Sequence, residues 1–446
     1  MSKVQAGYKS TELGDIPEGW EIVSLADVAD PNKPYALTGG PFGSDLKSEE
    51  YTELGVRIIQ LQNIKEGYFS NKYKIYTSEA KANQLFNCNI FPNDIIIAKM
   101  AEPVARACII PKLHERYLMA SDGIRLSVNE EDYSTKYVMY AINSSYFRQQ
   151  AIDNSTGTTR LRIGLKMLKR LKLLKPSKEE QQKIATILST VDKDIEKTEA
   201  IIQQTEKVKK GLMQQLLTKG IGHTKFKKTD IGDIPEEWKV LTFEEISDLI
   251  TKGTTPTTYG FNYEDTGVNF IRTENIDEQG KVVKDNMKKI SLAAHQKLKR
   301  SILKEKDILF SIAGVGLGQC TIVKEDLLPA NTNQALAIIR ISSPLFDHHF
   351  VYTLLLSHYI TKQIKVVSTI GAQPNISLKQ IGDFKIPIPT LKEQKRIVDI
   401  LSSVGEKIQH EKVKLDTLQT LKTGLMQSLL TGKVRVGVDE AGVAHV

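Results

Sequence analysis

The feature that most restricts this chain is that its plan is written twice. The stretch TELGDIPEGWEIVSLADV, Thr11 to Val28, returns as TDIGDIPEEWKVLTFEEI at Thr229 to Ile246, 218 positions later. GVRIIQLQNI from Gly55 returns as GVNFIRTENI from Gly267, and NDIIIA from Asn93 as KDILFS from Lys306; these are short apolar runs of the kind that form strands. LKMLKRLKLLKPSKEEQQKIATIL from Leu165 matches LKQIGDFKIPIPTLKEQKRIVDIL from Leu378, and GLMQQLLT from Gly211 matches GLMQSLLT from Gly424, both at an offset of 213. Repetition fixes the architecture before any motif is considered, because both copies must fold on one plan. Between the matched segments the copies differ widely. One scaffold therefore carries two different surfaces.

Each copy ends in a long helical pattern. Ile184, Leu188, Val191, Ile195, Thr198, Ile202, Thr205, Lys209, Leu212 and Leu216 follow alternating spacings of four and three, the seam of a coiled-coil helix. Ile397, Leu401, Val404, Ile408, Glu411, Leu415, Leu418, Lys422, Leu425 and Leu429 keep the same register, again with a polar break midway and a lysine near the end. Pro176 and Pro389 precede the helices, and Gly220 and Gly432 follow them as stop signals. The expected organisation is a mixed strand and short-helix domain over 1–175, a helix over 176–222, a second mixed domain over 223–387, a second helix over 388–432 and a tail over 433–446. Two seams in one chain bury each other most simply as an antiparallel pair about a pseudo-twofold axis; pairing between two chains satisfies the same pattern. The fold class expected is α+β, two mixed α/β domains separated by an antiparallel two-helix coiled coil. A helix of about 40 residues spans on the order of 60 Å, and one turn of duplex DNA is ~34 Å, so such a pair would act as a spacer. Gly211 and Gly424 sit inside the helices, where glycine costs up to ~1 kcal/mol against alanine, which predicts a kink or the close approach of another backbone.

Composition bounds the partner. The 446 residues exceed one hydrophobic core, and 40% hydrophobic with 26% charged residues describe a globular chain. A formal charge of +8 suits a polyanion. The N-terminal MSKVQAGYKST has neither the apolar run of a secretory signal nor the character of a transit peptide, so a cytoplasmic protein without a membrane role is expected. Cys88, Cys108 and Cys320 are too few and too scattered for a disulfide frame or a zinc site; buried reduced thiols are expected. No metal or cofactor site is evident. NKPY at Asn32 to Tyr35 lacks the first proline of an amino-methyltransferase motif, and the glycines of AGVGLG, Gly314, Gly316 and Gly318, are read as a tight turn. No catalytic residue is assigned.

Reading duplex DNA calls for long amides and arginines at base edges, with basic and small polar groups at phosphates. In the first copy the candidates are Ser44 and Lys47 in GPFGSDLK, Gln60, Gln62 and Lys65 after a strand, Lys99 and Arg106 around the central strand, and the cluster Thr158, Thr159, Arg160 and Arg162. In the second they are Lys252, Thr254, Thr255, Thr257 and Tyr259 in TKGTTPTTYG, Arg272 and Glu274, then Asn331, Asn333, Gln334, Gln373 and Asn375. Asn63 and Asn275, present in both copies, are read as turn caps instead. The polar seam positions Thr198, Lys209, Glu411 and Lys422, with Gly211 and Gly424, are candidates for contact with another protein.

The paired GDIPEGW and GDIPEEW, the GPFGS loop, the helix openings KEEQQKIATILSTVD and LKEQKRIVDILSSVG and the closings GLMQQLLT and GLMQSLLT resemble specificity subunits of type I restriction-modification systems, from about Thr11 to Gly432. The resemblance implies two target recognition domains, each binding half of a split, asymmetric site in double-stranded DNA. It also implies two modification (methyltransferase) subunits and restriction (endonuclease/translocase) subunits as partners that hold the chemistry, so that this chain is not itself an enzyme. The loop STGTTRLRIGLKML differs from its counterpart STIGAQPNISLKQI, so its role must be argued in each copy. A self-contained DNA methyltransferase, which would itself bind S-adenosylmethionine, and a coiled-coil adaptor indifferent to sequence are the competing readings.

Overall fold

A computed structural model describes residues 6–100, 102–277, 280–314, 316–368 and 375–437. The chain divides into two compact units, Met1–Glu199 with Val413–Val446, and Ala200–Lys412. Each holds one mixed strand and short-helix domain, the first part of that copy's long helical segment and the last part of the other copy's.

In the first unit the lead-in is a hairpin of Tyr8–Thr11 and Gly14–Pro17. Glu21–Ser24 then pairs antiparallel with Lys172–Lys175, so the segment entering the domain lies beside the segment leaving it. A four-stranded antiparallel sheet runs in the order Ala107–Ile109, Ile95–Ala98, Gly123–Leu126, Leu37–Gly39. A second sheet places Val56–Ile59 parallel to Tyr117–Met119. The run Ile95–Ala98 explains how the layers join. Alternate side chains of a strand face opposite ways, and here Ile95 and Ile97 join the large core against helices Thr135–Ile142 and Ser145–Asp153, whereas Ile96 and Ala98 join a second core with Ile59, Tyr117 and Met119.

The second unit repeats these pairings: Phe226–Thr229 with Gly232–Pro235, Lys239–Thr242 with Lys385–Ile388, a sheet ordered Leu249–Lys252, Leu336–Arg340, Ile308–Ser311, Cys320–Ile322, and Val268–Ile271 parallel to Ala330–Thr332. Ile308 and Phe310 face one core and Leu309 the other. The aspartate that opens the central strand has the same task in both copies. Asp94 holds Arg125 at 2.8 Å and Asp307 holds Arg340 at 2.7 Å, each carboxylate nearly or fully buried. Cys88, Cys108 and Cys320 are free and buried, and burial pushes the Cys108 thiol up to about 12.

The long helices run over Lys178–Lys219 and Leu391–Leu429. Within the first unit Ile184 and Leu188 near the start of one share a core with Leu429 and Leu430 at the end of the other. Within the second unit the pairing is reversed, Leu216 and Leu217 with Ile397 and Leu401, so the helices are antiparallel. Every seam position expected from the heptad pattern is buried or half-buried. Gly211 and Gly424 face solvent, and a Cβ added at either would meet nothing within 4 Å. Of the two causes expected for these glycines, the close approach of another backbone is not found among the described residues.

One carboxylate ties the parts of each unit together, Glu180 fully buried in the first and Glu393 half-buried in the second. Trp20 Nε1 donates to Glu180 Oε2 at 3.0 Å, and Arg435, beyond the end of the second long helix, donates to both oxygens at 2.8 and 3.0 Å. In the second unit Trp238 Nε1 donates to Glu393 Oε2 at 3.1 Å, Ile221 N donates to Oε1 at 2.9 Å, and His223 Nε2 lies 2.9 Å from Oε1. The neighbouring glutamine is also shared. Gln181 accepts from Ser134 N and donates to Pro176 O, as Gln394 does with Asp347 N and Pro389 O. Gly220 and Gly432 have positive φ, and a Cβ at either would press on the tryptophan ring, at 2.7 and 3.3 Å. Glu180→Ala would leave the Trp20 indole without its acceptor in a dry site and is expected to cost the first unit about 2–4 kcal/mol. Urea unfolding followed by tryptophan fluorescence measures this.

Candidate nucleic-acid interface

In each unit the candidate residues gather where strand ends and loops meet. In the first, Gly40 N donates to Gly123 O at 2.8 Å, and a Cβ on Gly40 would lie 2.0 Å from Ala120 O. Glycine is required there because backbone lies on backbone. This anchors the loop carrying Phe42, Ser44 and Lys47, in which Asp45 accepts from Phe42 N and from Ser44 Oγ, and Lys47 N donates to Glu50 Oε2. Phe42 itself is 81% exposed between Pro41 and Gly43.

Lys99 lies beneath this loop. Its Nζ donates to Ser121 O at 2.9 Å, and its backbone oxygen accepts from Ile163 N, which brings the Arg160 cluster alongside. Burial draws the Lys99 pKa below the ordinary lysine range, the Arg162 charge adds to this, and Asp122 opposes it. Thr156 and Arg162 exchange two backbone bonds of 2.9 Å and close a loop that presents Thr158, Thr159 and Arg160 to solvent. The Arg162 guanidinium rests 3.0 Å from Asp122 Oδ1. Met119 and Ala120 follow from the strand that runs beside Val56–Ile59, so Gln60 and Gln62 emerge at the same end. Gln62 Nε2 donates to Gln60 Oε1 at 2.9 Å. Lys65 is half-buried at the next turn, its backbone N bonded to Tyr68 O.

The second unit builds the same corner from different side chains. Gly253 sits 2.0 Å, measured from an added Cβ, from Asn333 O, and Thr254 N donates to Thr332 O. Thr255 Oγ1 donates to Gln334 Oε1 at 3.1 Å, and Arg300 reaches Thr254 Oγ1 at 3.2 Å. Lys252, Thr257 and Tyr259 are exposed, and Asn333 is half-buried, accepting from Ala335 N. Arg272 pairs with Glu274 at 2.7 Å and lies over the Tyr263 ring. Asn375 bridges Ala313, in the place that Arg162 takes beside Met100. Gln373 lies outside the described residues.

Two candidates are turned inward, and a third pair behaves as expected. Arg106 is nearly buried and donates to Ile64 O, Leu61 O and Glu102 O; it fixes the turn that carries Gln60 and Gln62. Asn331 is fully buried, donating to Leu298 O and Ser301 Oγ with His295 Nδ1 at its oxygen. Both are framework, because a long polar side chain in a strand-rich stretch looks the same in sequence whether it points in or out. Asn63 and Asn275 do cap turns, accepting from Gln60 N and Arg272 N at 3.0 Å. Phe42, Asp122 and Arg300 join the candidates. The signal for Phe42 was legible as an aromatic held between proline and glycine in GPFGS, whereas Asp122 and Arg300 come from distant loops with no local mark.

On the helices Lys422 pairs with Asp192 at 2.7 Å, Thr198 is buried and bonded to Asp194 O, and Glu411 Oε2 is buried without a hydrogen-bond partner. Lys209 lies over Gly405.

The backbone contact makes a sharp comparison inside one loop. Gly40→Ala is expected to destabilise the first unit by about 1–3 kcal/mol, whereas Gly43→Ala, with open space at its Cβ, should change stability by no more than about 0.5 kcal/mol. Denaturant titration of the two variants decides it.

Comparison with known proteins agrees with this double plan. The family model for the type I restriction modification DNA specificity domain matches twice, over residues 17–207 and 235–420. The type I restriction enzyme MjaVIII specificity subunit of Methanocaldococcus jannaschii is 27% identical over 432 residues, covering 94% of each chain. Among solved structures, the type I restriction-modification S subunit of M. genitalium has a TM-score of 0.55 at 17% identity, over 96% of this chain and 98% of that one. A chain from a study of complex assembly and conformational transition in the type I system has a TM-score of 0.60 at 16% identity, covering 94% and 99%. The likeness to the structures is one of fold, and the twofold match of the family model spans most of the sequence. This chain belongs to the type I restriction-modification DNA specificity family.

Proposed function

We propose that the chain reads an asymmetric, two-part site in double-stranded DNA and directs to it a complex in which two modification subunits methylate adenine and restriction subunits translocate and cut. In this reading the chain works in the cytoplasm, transfers no methyl group and cuts nothing by itself. Residues 1–175 and 223–387 are the two target recognition domains, and 176–222 with 388–432 are the spacer helices. One observation carries the reading. The same backbone corner, anchored at Gly40 and at Gly253, presents Phe42, Lys47, Arg160 and Arg162 in one unit and Thr254, Thr255, Tyr259 and Gln334 in the other. Equal frameworks with unequal side chains suit two half-sites of different sequence, whereas a homodimer would read a palindrome. Base-edge readers need free donors and acceptors. Arg160, Thr158 and Tyr259 meet that need as exposed residues, while Arg106 and Asn331 do not.

The test is a map of methylated adenines in a host expressing the chain with its modification subunit. A motif of two unlike blocks with an unread gap is expected; a palindrome or an uninterrupted block overturns the reading. Arg160→Ala should lose ~1–3 kcal/mol of binding at one base position and relax the preference there if the guanidinium meets guanine. Uniform weakening of all duplexes with a shallower salt dependence would instead make it a phosphate contact. Competition binding with a panel of singly substituted duplexes at two salt concentrations separates the two.

A further inference from the structure

The two units are not equivalent along the long helices: a carboxylate and the tyrosine that holds it are present in the first and missing from the second. In the first unit Lys422 Nζ lies 2.7 Å from Asp192 Oδ1, and the other oxygen of Asp192 accepts from Tyr140 OH at 2.5 Å. All three residues have counterparts at the 213-residue offset: Lys209 for Lys422, Gly405 for Asp192 and Thr353 for Tyr140. Of the triad the second unit keeps only the lysine. A Cβ built on Gly405 would stand 3.4 Å from Lys209 Nζ, so the ammonium lies directly over the place from which the missing side chain would grow. Thr353 turns its hydroxyl back to His349 O in its own helix. Among the described residues no carboxylate reaches Lys209 within ion-pair distance, and Glu206, one turn away, is taken by Lys412 at 3.1 Å. The result is an open groove of about 380 Å³ whose lining includes three lysines, Lys209, Lys210 and Lys412, against one carboxylate, Glu206, with Met213 and Ile408 between them. It has an apolar floor and an excess of positive charge on its rim. The first unit shows what completes such a site, namely a carboxylate presented to the lysine.

We propose that this groove is a docking site for an acidic side chain of a protein partner, an Asp or Glu that takes the place Asp192 fills in the first unit. This rests on the reading that modification subunits bind the chain, and it adds that the two units receive the partner differently. The partner completes the charge pair at the second unit, while the first unit has completed it already. A half-buried ammonium without a counter-ion is an incomplete arrangement, and bringing one carboxylate to it gives both attraction and register.

Gly405→Asp supplies the carboxylate from within and should close the groove. The experiment uses the full-length chain and separately purified modification subunit, with binding followed by titration calorimetry at low and high salt. The wild-type chain is expected to bind two subunits, one site weakening more steeply with salt. In Gly405→Asp that site should lose affinity by ~10-fold or more with the other unchanged, and the free chain should melt at a higher temperature. Lys209→Met, which keeps the aliphatic stem and removes the charge, should weaken the same single site and guards against a folding fault in the first variant. Two sites of which neither responds to Gly405→Asp or Lys209→Met overturn the inference alone, as does equal weakening of both. A wild-type chain that binds no modification subunit removes the partner and the inference together. Self-association of the chain that Gly405→Asp abolishes would make a second copy the occupant and also overturn it.

Discussion

A carboxylate bonded through both of its oxygens is the point on which each unit turns. Glu180 accepts from the Trp20 indole and is clamped by Arg435; Glu393 accepts from the Trp238 indole and from a backbone amide, beside His223. A buried charge with all its partners in place costs little, and the same charge missing one of them costs a great deal. The arrangement therefore admits one geometry. In each unit it brings together three pieces distant in sequence: the lead-in hairpin, the opening turn of one long helix and the segment after the end of the other. The basic partner differs between copies, arginine in one and histidine in the other, while the tryptophan and glutamate do not.

With entry and exit fixed in this way, the sheets have one task, which is to deliver loops to a common corner. The central strand is buried on both faces, so neither layer can shift without exposing apolar side chains. The ion pairs Asp94–Arg125 and Asp307–Arg340 hold its first residue. Side chains at the corner are then free to be polar and varied, since none of them holds the fold. Arg106 and Asn331 illustrate the division by standing on its other side, as polar residues at candidate positions that brace the turns instead of lining the surface.

The sequence reading and the structure agree most where one residue class repeats with a period. The heptad seam was legible because burying a helix stripe demands apolar residues at fixed spacing, and each seam position is buried or half-buried. The repeated EQ dipeptide was visible as a motif, but its meaning was not. Glu180 and Gln181 look like an exposed helix opening until Trp20, Arg435 and Ser134 arrive from far along the chain. Arg106 misled for the same reason, since whether an arginine points outward depends on carbonyls supplied by Leu61 and Ile64. Gly211 and Gly424 were read as marking a kink or the close approach of another backbone, and of these the approach is not found among the described residues. A glycine that relieves crowding and one that meets no neighbour are identical as letters.

The anchoring of the corner loops through Gly40 and Gly253 has a consequence for how such a molecule changes over generations. The contact is made by main-chain atoms, so it is indifferent to the identity of neighbouring residues as long as the glycine stays. Substitutions at Phe42, Ser44, Thr255 or Tyr259 can accumulate without loosening the support beneath them. With the corner as the DNA-reading surface proposed above, diversification of preference is thereby uncoupled from foldability, and a lineage can drift from one target to another through intermediates that all remain well formed.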